Sequence, residues 1–132
     1  MKKVVFCAAA LMMGAVTFAQ DNVSGVLQSG DSNSSEVIQS GTEELSVVWQ
    51  SGNSNSAYAK QIGDENISGI YQSGDANIAS VGQNHFGDAG DDNVALIGQT
   101  GNSNEAYVGQ ASWSDYTYGN WAVQVQTGNE NI

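Results

Sequence analysis

Glutamine returns in this chain every eleven residues. Gln28, Gln39, Gln50, Gln61, Gln72 and Gln83 are spaced by 11 without a break, Gln99 and Gln110 repeat the spacing, and Gln126 follows. The two gaps, Gln83 to Gln99 and Gln110 to Gln126, are each 16 residues, one period plus an insertion of five. So regular a period constrains the fold before anything else does. Each copy is one structural unit that buries its apolar positions only by stacking on its neighbours.

Other positions keep the same register. Six residues before each Gln stand Asn22, Asn33, Glu44, Asn55, Asn66, Asn77, Asn93, Asn104 and Asn120. Four before it is Ser or Ala, and two before it is Val, Ile or Ala, with Gln124 as the exception. Two after it stand Gly30, Gly41, Gly52, Gly63, Gly74, Gly101 and Gly128. The unit reads Asn-x-(Ser/Ala)-x-(Val/Ile)-x-Gln-x-Gly-x-x, nine times. Its fixed positions alternate, which is the period of a strand. The four residues around Gly then turn the chain, since Gly accepts backbone angles that other residues resist. Parallel stacking of such units sets Asn over Asn and Gln over Gln. Side-chain amides both donate and accept, so identical ones can hydrogen-bond up a stack. The predicted fold is all-β, a thin parallel β-solenoid of cross-β type with two strands per 22-residue rung.

Composition agrees with a thin structure. There are 16 glycines and no proline, and 8% of the residues are aromatic, too little for a thick apolar core. The N-terminus reads differently. Lys2 and Lys3, the apolar run Val4 to Val16 and the small Ala19 form the pattern of a secretory signal peptide over 1–19. The repeat domain is then expected over 20–132, with insertions near 84–89 and 111–119. Removing the leader takes away Cys7, and leaves Lys60 as the one basic residue against 14 acids, a net charge of −13. Nucleic-acid binding, which needs basic residues against phosphate, is excluded. No second apolar segment suggests a membrane span.

The repeat resembles the curlin family, subunits of curli amyloid fibres on bacterial surfaces. That family's signature runs roughly Ser-x5-Gln-x-Gly-x-x-Asn-x-Ala-x3-Gln. Gln72-Ser-Gly74-Asp-Ala-Asn77-Ile-Ala79-Ser-Val-Gly-Gln83 is similar to its central part throughout, as is Gln99-Thr-Gly101-Asn-Ser-Asn104-Glu-Ala106-Tyr-Val-Gly-Gln110. One departure is that Asn or Glu, not Ser, opens every unit here. The resemblance implies a secreted structural subunit that polymerises into extracellular fibres for biofilm matrix and adhesion. It also implies a second curli-type subunit or nucleator and an outer-membrane export channel as partners. The other reading is a monomeric solenoid that binds carbohydrate or serves as an adhesin module through a flat face.

If successive units alternate between two sheets, the outward positions of odd and even units differ. Odd units place Val23, Leu27, Leu45, Val47, Trp49, Ile67, Tyr71, Val94, Leu96, Trp121, Val123 and Val125 there, with three glycines and no charge. Even units place Glu36, Lys60 and Glu105 among Ser, Ile, Tyr and Gly. The odd face is therefore an expected apolar contact face.

Catalysis has little to work with. His85, the sole His, falls in the first insertion. A Ser80, His85, Asp88 set is weaker than a loop His beside solvating acids. The acidic stretch Gly87 to Asn93 lacks EF-hand spacing. No catalytic residue, cofactor or metal site is expected. Trp113, Tyr116 and Tyr118 in the second insertion are read as a loop against the solenoid side, with glycan or partner binding as the other reading.

Overall fold

The computed structural model describes residues 21–85, 92–112 and 119–132; the leader assigned to 1–19, and most of both insertions, lie outside them. Nine strands follow one another: β1 (Val23–Ser29), β2 (Ser34–Thr42), β3 (Leu45–Ser51), β4 (Ser56–Asp64), β5 (Ile67–Ser73), β6 (Ile78–His85), β7 (Val94–Thr100), β8 (Glu105–Ser112) and β9 (Trp121–Thr127). Each repeat is one strand. Odd strands form a five-stranded sheet in the order β1-β3-β5-β7-β9, and even strands a four-stranded sheet, β2-β4-β6-β8. Every pairing is parallel. The fold is the parallel β-solenoid that the alternation of fixed residues predicts, two strands to the rung.

Register is the property that matters most. Gln28 pairs with Gln50, Gln50 with Gln72, Gln72 with Gln99 and Gln99 with Gln126. The even sheet pairs Gln39, Gln61, Gln83 and Gln110 in the same way. The insertions do not disturb it, because each enters between strands and the next strand resumes the old register. β6 and β8 continue through 84–85 and 111–112, residues that the repeat pattern alone assigns to the insertions.

Between the sheets lies a narrow seam. Val48, Ile70 and Ile97 from the odd sheet meet Ala57, Ala59, Ala79, Val81, Ala106 and Val108 from the even sheet. Small residues on one side allow the other side's branched residues to fill the gap. Burial follows the strand period: β3 alternates exposed and buried from end to end. At the open end of the odd sheet the pattern fails. All seven residues of β1 are exposed, Val26 to 44%, because among the described residues β1 has a neighbour on one side alone.

Each bend that carries a repeat glycine has two left-handed residues. The seven repeat glycines have φ between 105° and 146°. A Cβ added at Gly52 would run into the carbonyl of Gly74 one rung on, and one at Gly74 into that of Gly101. The second position is the residue just before Glu44 and before each column Asn except Asn120, which follows Gly119. Asp21, Ser32, Glu43, Ser54, Glu65, Ala76, Asp92, Ser103 and Glu130 all have φ between 39° and 62°, at a cost of about 1 kcal/mol or more each for a residue with a Cβ.

Candidate functional site

The inward polar residues form continuous columns of hydrogen bonds. In the odd sheet Gln28 Nε2 donates to Gln50 Oε1 (2.6 Å), Gln50 to Gln72 (2.8 Å), Gln72 to Gln99 (2.9 Å) and Gln99 to Gln126 (2.9 Å). In the even sheet Gln39 donates to Gln61, Gln61 to Gln83 and Gln83 to Gln110, at 3.0–3.1 Å. The same Nε2 atoms also reach backbone carbonyls across the seam, Gln50 to Ser34 and Gln83 to Ile67 among them. Gln50, Gln61, Gln72, Gln83 and Gln99 are 0% exposed, so these amides have no water to fall back on. Each glutamine therefore ties its rung to the next and one sheet to the other.

Asparagines stack beside the bends and point the opposite way. Asn55 Nδ2 donates back to Asn33 Oδ1 (3.1 Å), Asn77 to Asn55 (3.0 Å), Asn104 to Asn77 (3.0 Å) and Asn131 to Asn104 (2.7 Å). Asn55, Asn77 and Asn104 also donate forward to a bend carbonyl, to Gly74 (2.8 Å), Gly101 (2.8 Å) and Gly128 (2.9 Å). The glutamine columns thus donate toward later rungs and the asparagine columns toward earlier ones.

The asparagine column of the odd sheet has a gap. Its members are Asn22, Glu44, Asn66, Asn93 and Asn120. Asn93 donates to Asn66 (3.0 Å) and Asn120 to Asn93 (2.9 Å), while Glu44 receives no such bond. Glu44 is 1% exposed, and neither of its carboxyl oxygens nor Asn66 Nδ2 has a hydrogen-bond partner. Burial pushes the Glu44 carboxyl from its ordinary 4.5 up to about 7; Asn66 and the Ser40 backbone beside it pull the other way, and the charge of Asp64 adds to the rise. An ionised carboxylate here lies beside the Asn66 amide without completing a hydrogen bond to it.

One further column runs the full length of the odd-to-even bends, and one link of the same kind, Thr42 N to Asp64 Oδ1 (3.1 Å), stands at the other bends. Asp31 N donates to Asn53 Oδ1 (2.9 Å), Asn53 N to Asp75 (2.7 Å), Asp75 N to Asn102 (2.8 Å) and Asn102 N to Asn129 (2.9 Å). The signal for it is an Asp or Asn after every odd-unit glycine, a 22-residue pattern lost when all units are averaged at eleven. At the other bends acids stand close together. The fully exposed Glu65 carboxyl is held above its usual range, first by a hydrogen bond to Asp92 and then by the charges of Asp92 and Glu43.

The outward faces differ as the residues do. On the odd face Leu27 (66%), Trp121 (76%) and Val125 (72%) are the most open. Val23, Leu45, Val47, Ile67, Tyr71, Leu96 and Val123 are also exposed, and Trp49 and Val94 are half-buried. Trp49 and Tyr71, one rung apart, stack with ring centroids 4.2 Å apart. The even face shows Ile38, Ile78 and Tyr107 as well, interrupted by Glu36, Lys60 and Glu105. Among the described residues no helix is long and apolar enough to cross a membrane. His85 ends β6, and Asp88, Trp113, Tyr116 and Tyr118 lie outside the described residues.

Residues 89–111 match the family model of the curlin associated repeat. The chain carries a curlin repeat. The matched stretch takes in β7 and nearly all of β8, one full rung. The other repeat units of the chain occupy the same register in the stack, with Gln paired to Gln in every rung. No curated protein and no solved structure matches the chain. The curlin repeat suggests a curli-associated structural protein.

Proposed function

We propose that this chain is a secreted subunit that assembles into curli-like amyloid fibres outside a bacterial cell, for biofilm matrix and adhesion. The observation that supports it best is the state of the two ends. Among the described residues β1 pairs with β3 alone and β9 with β7 alone. The chain has no proline, and among the described residues no bulge blunts either edge, as natural monomers usually arrange. The columns reach both ends in register, so an incoming chain would find backbone groups and side-chain amides already spaced for it. Its ordering cost is offset by pairing with a complete template. A second curli-type subunit or nucleator to start the process, and an outer-membrane channel to deliver the chain, are the partners this reading needs.

The test is dilution of the chain from denaturant at several concentrations, followed by thioflavin T fluorescence and fibre diffraction. The expected result is a lag that seeds remove, and reflections near 4.7–4.8 Å and ~10 Å. A stable monomer that neither polymerises nor seeds would overturn the reading and favour a monomeric binding module.

A further inference from the structure

The odd face raises a question that end-to-end stacking leaves open, because stacking buries the strand edges and not the sheet faces. This face exposes apolar side chains over five strands and carries no charge. Five strands at about 4.8 Å, each showing roughly 20 Å of length, make a face of about 500 Å². Monomers seldom leave a larger apolar patch bare.

Charge decides what can cover it. The repeat domain is strongly acidic, and its other surfaces carry that charge. Glu36 and Glu105 stand on the even face, Asp31 and Asp75 along one line of bends, and Glu43 and Glu65 along the other. Contact between two copies through any of these brings like charges together. The odd face is the one described surface on which two copies meet without that cost. Its relief also suits interdigitation. Trp49 and Tyr71 form a ridge. In the same column Gly98 leaves a notch, where an added Cβ would meet a single atom, Val125 Cγ2, at 3.9 Å. Gly25, in the first rung, also leaves open space, with nothing within 4 Å of an added Cβ.

Area decides when it is covered. A stable interface buries about 800 Å² on each partner, and one copy offers about 500 Å². Two copies stacked end to end exceed that requirement. We propose that the odd face pairs with the odd face of a second filament of this same chain, and that pairing follows elongation because a single copy is too small to hold. This rests on the fibre reading above.

The experiment compares fibres of the wild-type chain with those of Val47→Lys/Leu96→Lys and of Ser56→Lys/Ser80→Lys, which places the same charge on the even face. Mass per unit length, read by electron microscopy, is the measurement. Added lysines lower the net negative charge, so non-specific association would rise in both variants. The expected result is paired filaments for the wild type and the even-face variant, and a twofold drop to single filaments for the odd-face variant. Val47→Thr/Leu96→Thr, which keeps strand propensity, gives the same drop if the lysines prevent folding. Unchanged mass per length in the odd-face variants, or an equal drop in the even-face variant, overturns the pairing and leaves the fibre reading intact. A wild-type chain that forms no fibre overturns both.

Discussion

The two asparagine columns are built on one plan and differ at one residue. In the even sheet, Asn33, Asn55, Asn77, Asn104 and Asn131 donate to one another without interruption. In the odd sheet, Glu44 takes the second place and leaves three buried polar atoms without partners. The backbone hardly registers the change: Glu44 N still donates to Asn22 Oδ1 at 2.9 Å, as Asn55 N does to Asn33. The difference teaches that backbone pairing is specified independently of the side-chain column. The bends and seam hold the register, and the amide column adds to a geometry already fixed.

The largest effect is expected from planting the same defect in the intact column. Asn77→Glu removes donors to Asn55 and Gly101 and buries a carboxylate in mid-stack, at a cost of about 3–5 kcal/mol. Fibres of that variant should dissolve at a much lower denaturant midpoint than wild type. A midpoint unchanged within error would mean that the asparagine columns contribute nothing.

Healing the gap is the next step down. Glu44→Asn restores a donor and an acceptor for Asn66, and should stabilise the fold by on the order of 2 kcal/mol at pH 8. The gain depends on pH. The folded-state pKa of Glu44 lies above its ordinary value, so the fold favours the protonated form. Its penalty is absent below about 4.5, grows between 4.5 and about 7, and is complete above 7. Wild-type subunits should therefore need a higher concentration to polymerise at pH 8 than at pH 5. Glu44→Gln keeps the bend acids and should remove the part of the pH dependence due to Glu44. An equal pH dependence in wild type and Glu44→Gln would show that Glu44 has no part in it.

The smallest effect concerns the bends that hold both columns. Ala76 is left-handed at φ 56°, and Ala76→Gly relieves that strain while loosening the unfolded chain. The net gain should be about 0.5–1 kcal/mol, read as a slightly higher denaturant midpoint. Gly74→Ala, two residues away, should go sharply the other way, because its Cβ meets the Gly101 carbonyl.

Much of this was legible in the residues. The eleven-residue period, the alternation within it and the contrast between odd and even outward positions specify two parallel sheets and their register. The left-handed residue before Glu44 and before every column Asn but Asn120 was hidden. Its nine occupants include Asp, Ser, Glu and Ala, and what they share is a backbone angle, not a side chain. The direction of the amide columns was hidden too, since Gln and Asn each donate and accept. Backbone carbonyls across the seam and at the bends decide it, and these come together only in the fold. Glu44 was visible as an exception in its register, but the loss of its hydrogen bonds depends on the neighbours one rung away.

The bends also divide the molecule into an edge that is fixed and an edge that is open to change. Along the odd-to-even line each glycine before the last closes on the glycine of the next rung, as Gly41 does on Gly63 at the start of the even-to-odd line, and nothing can be spliced in at such a place without parting two carbonyl-packed turns. Both five-residue insertions fall on the even-to-odd line, after β6 and after β8, and the pairings Gln72 to Gln99 and Gln83 to Gln110 continue past them. A foreign peptide grafted at that edge would be displayed along the polymer at a pitch of roughly 20 Å, set by strand spacing alone. Such a chain can carry new cargo without relearning how to fold.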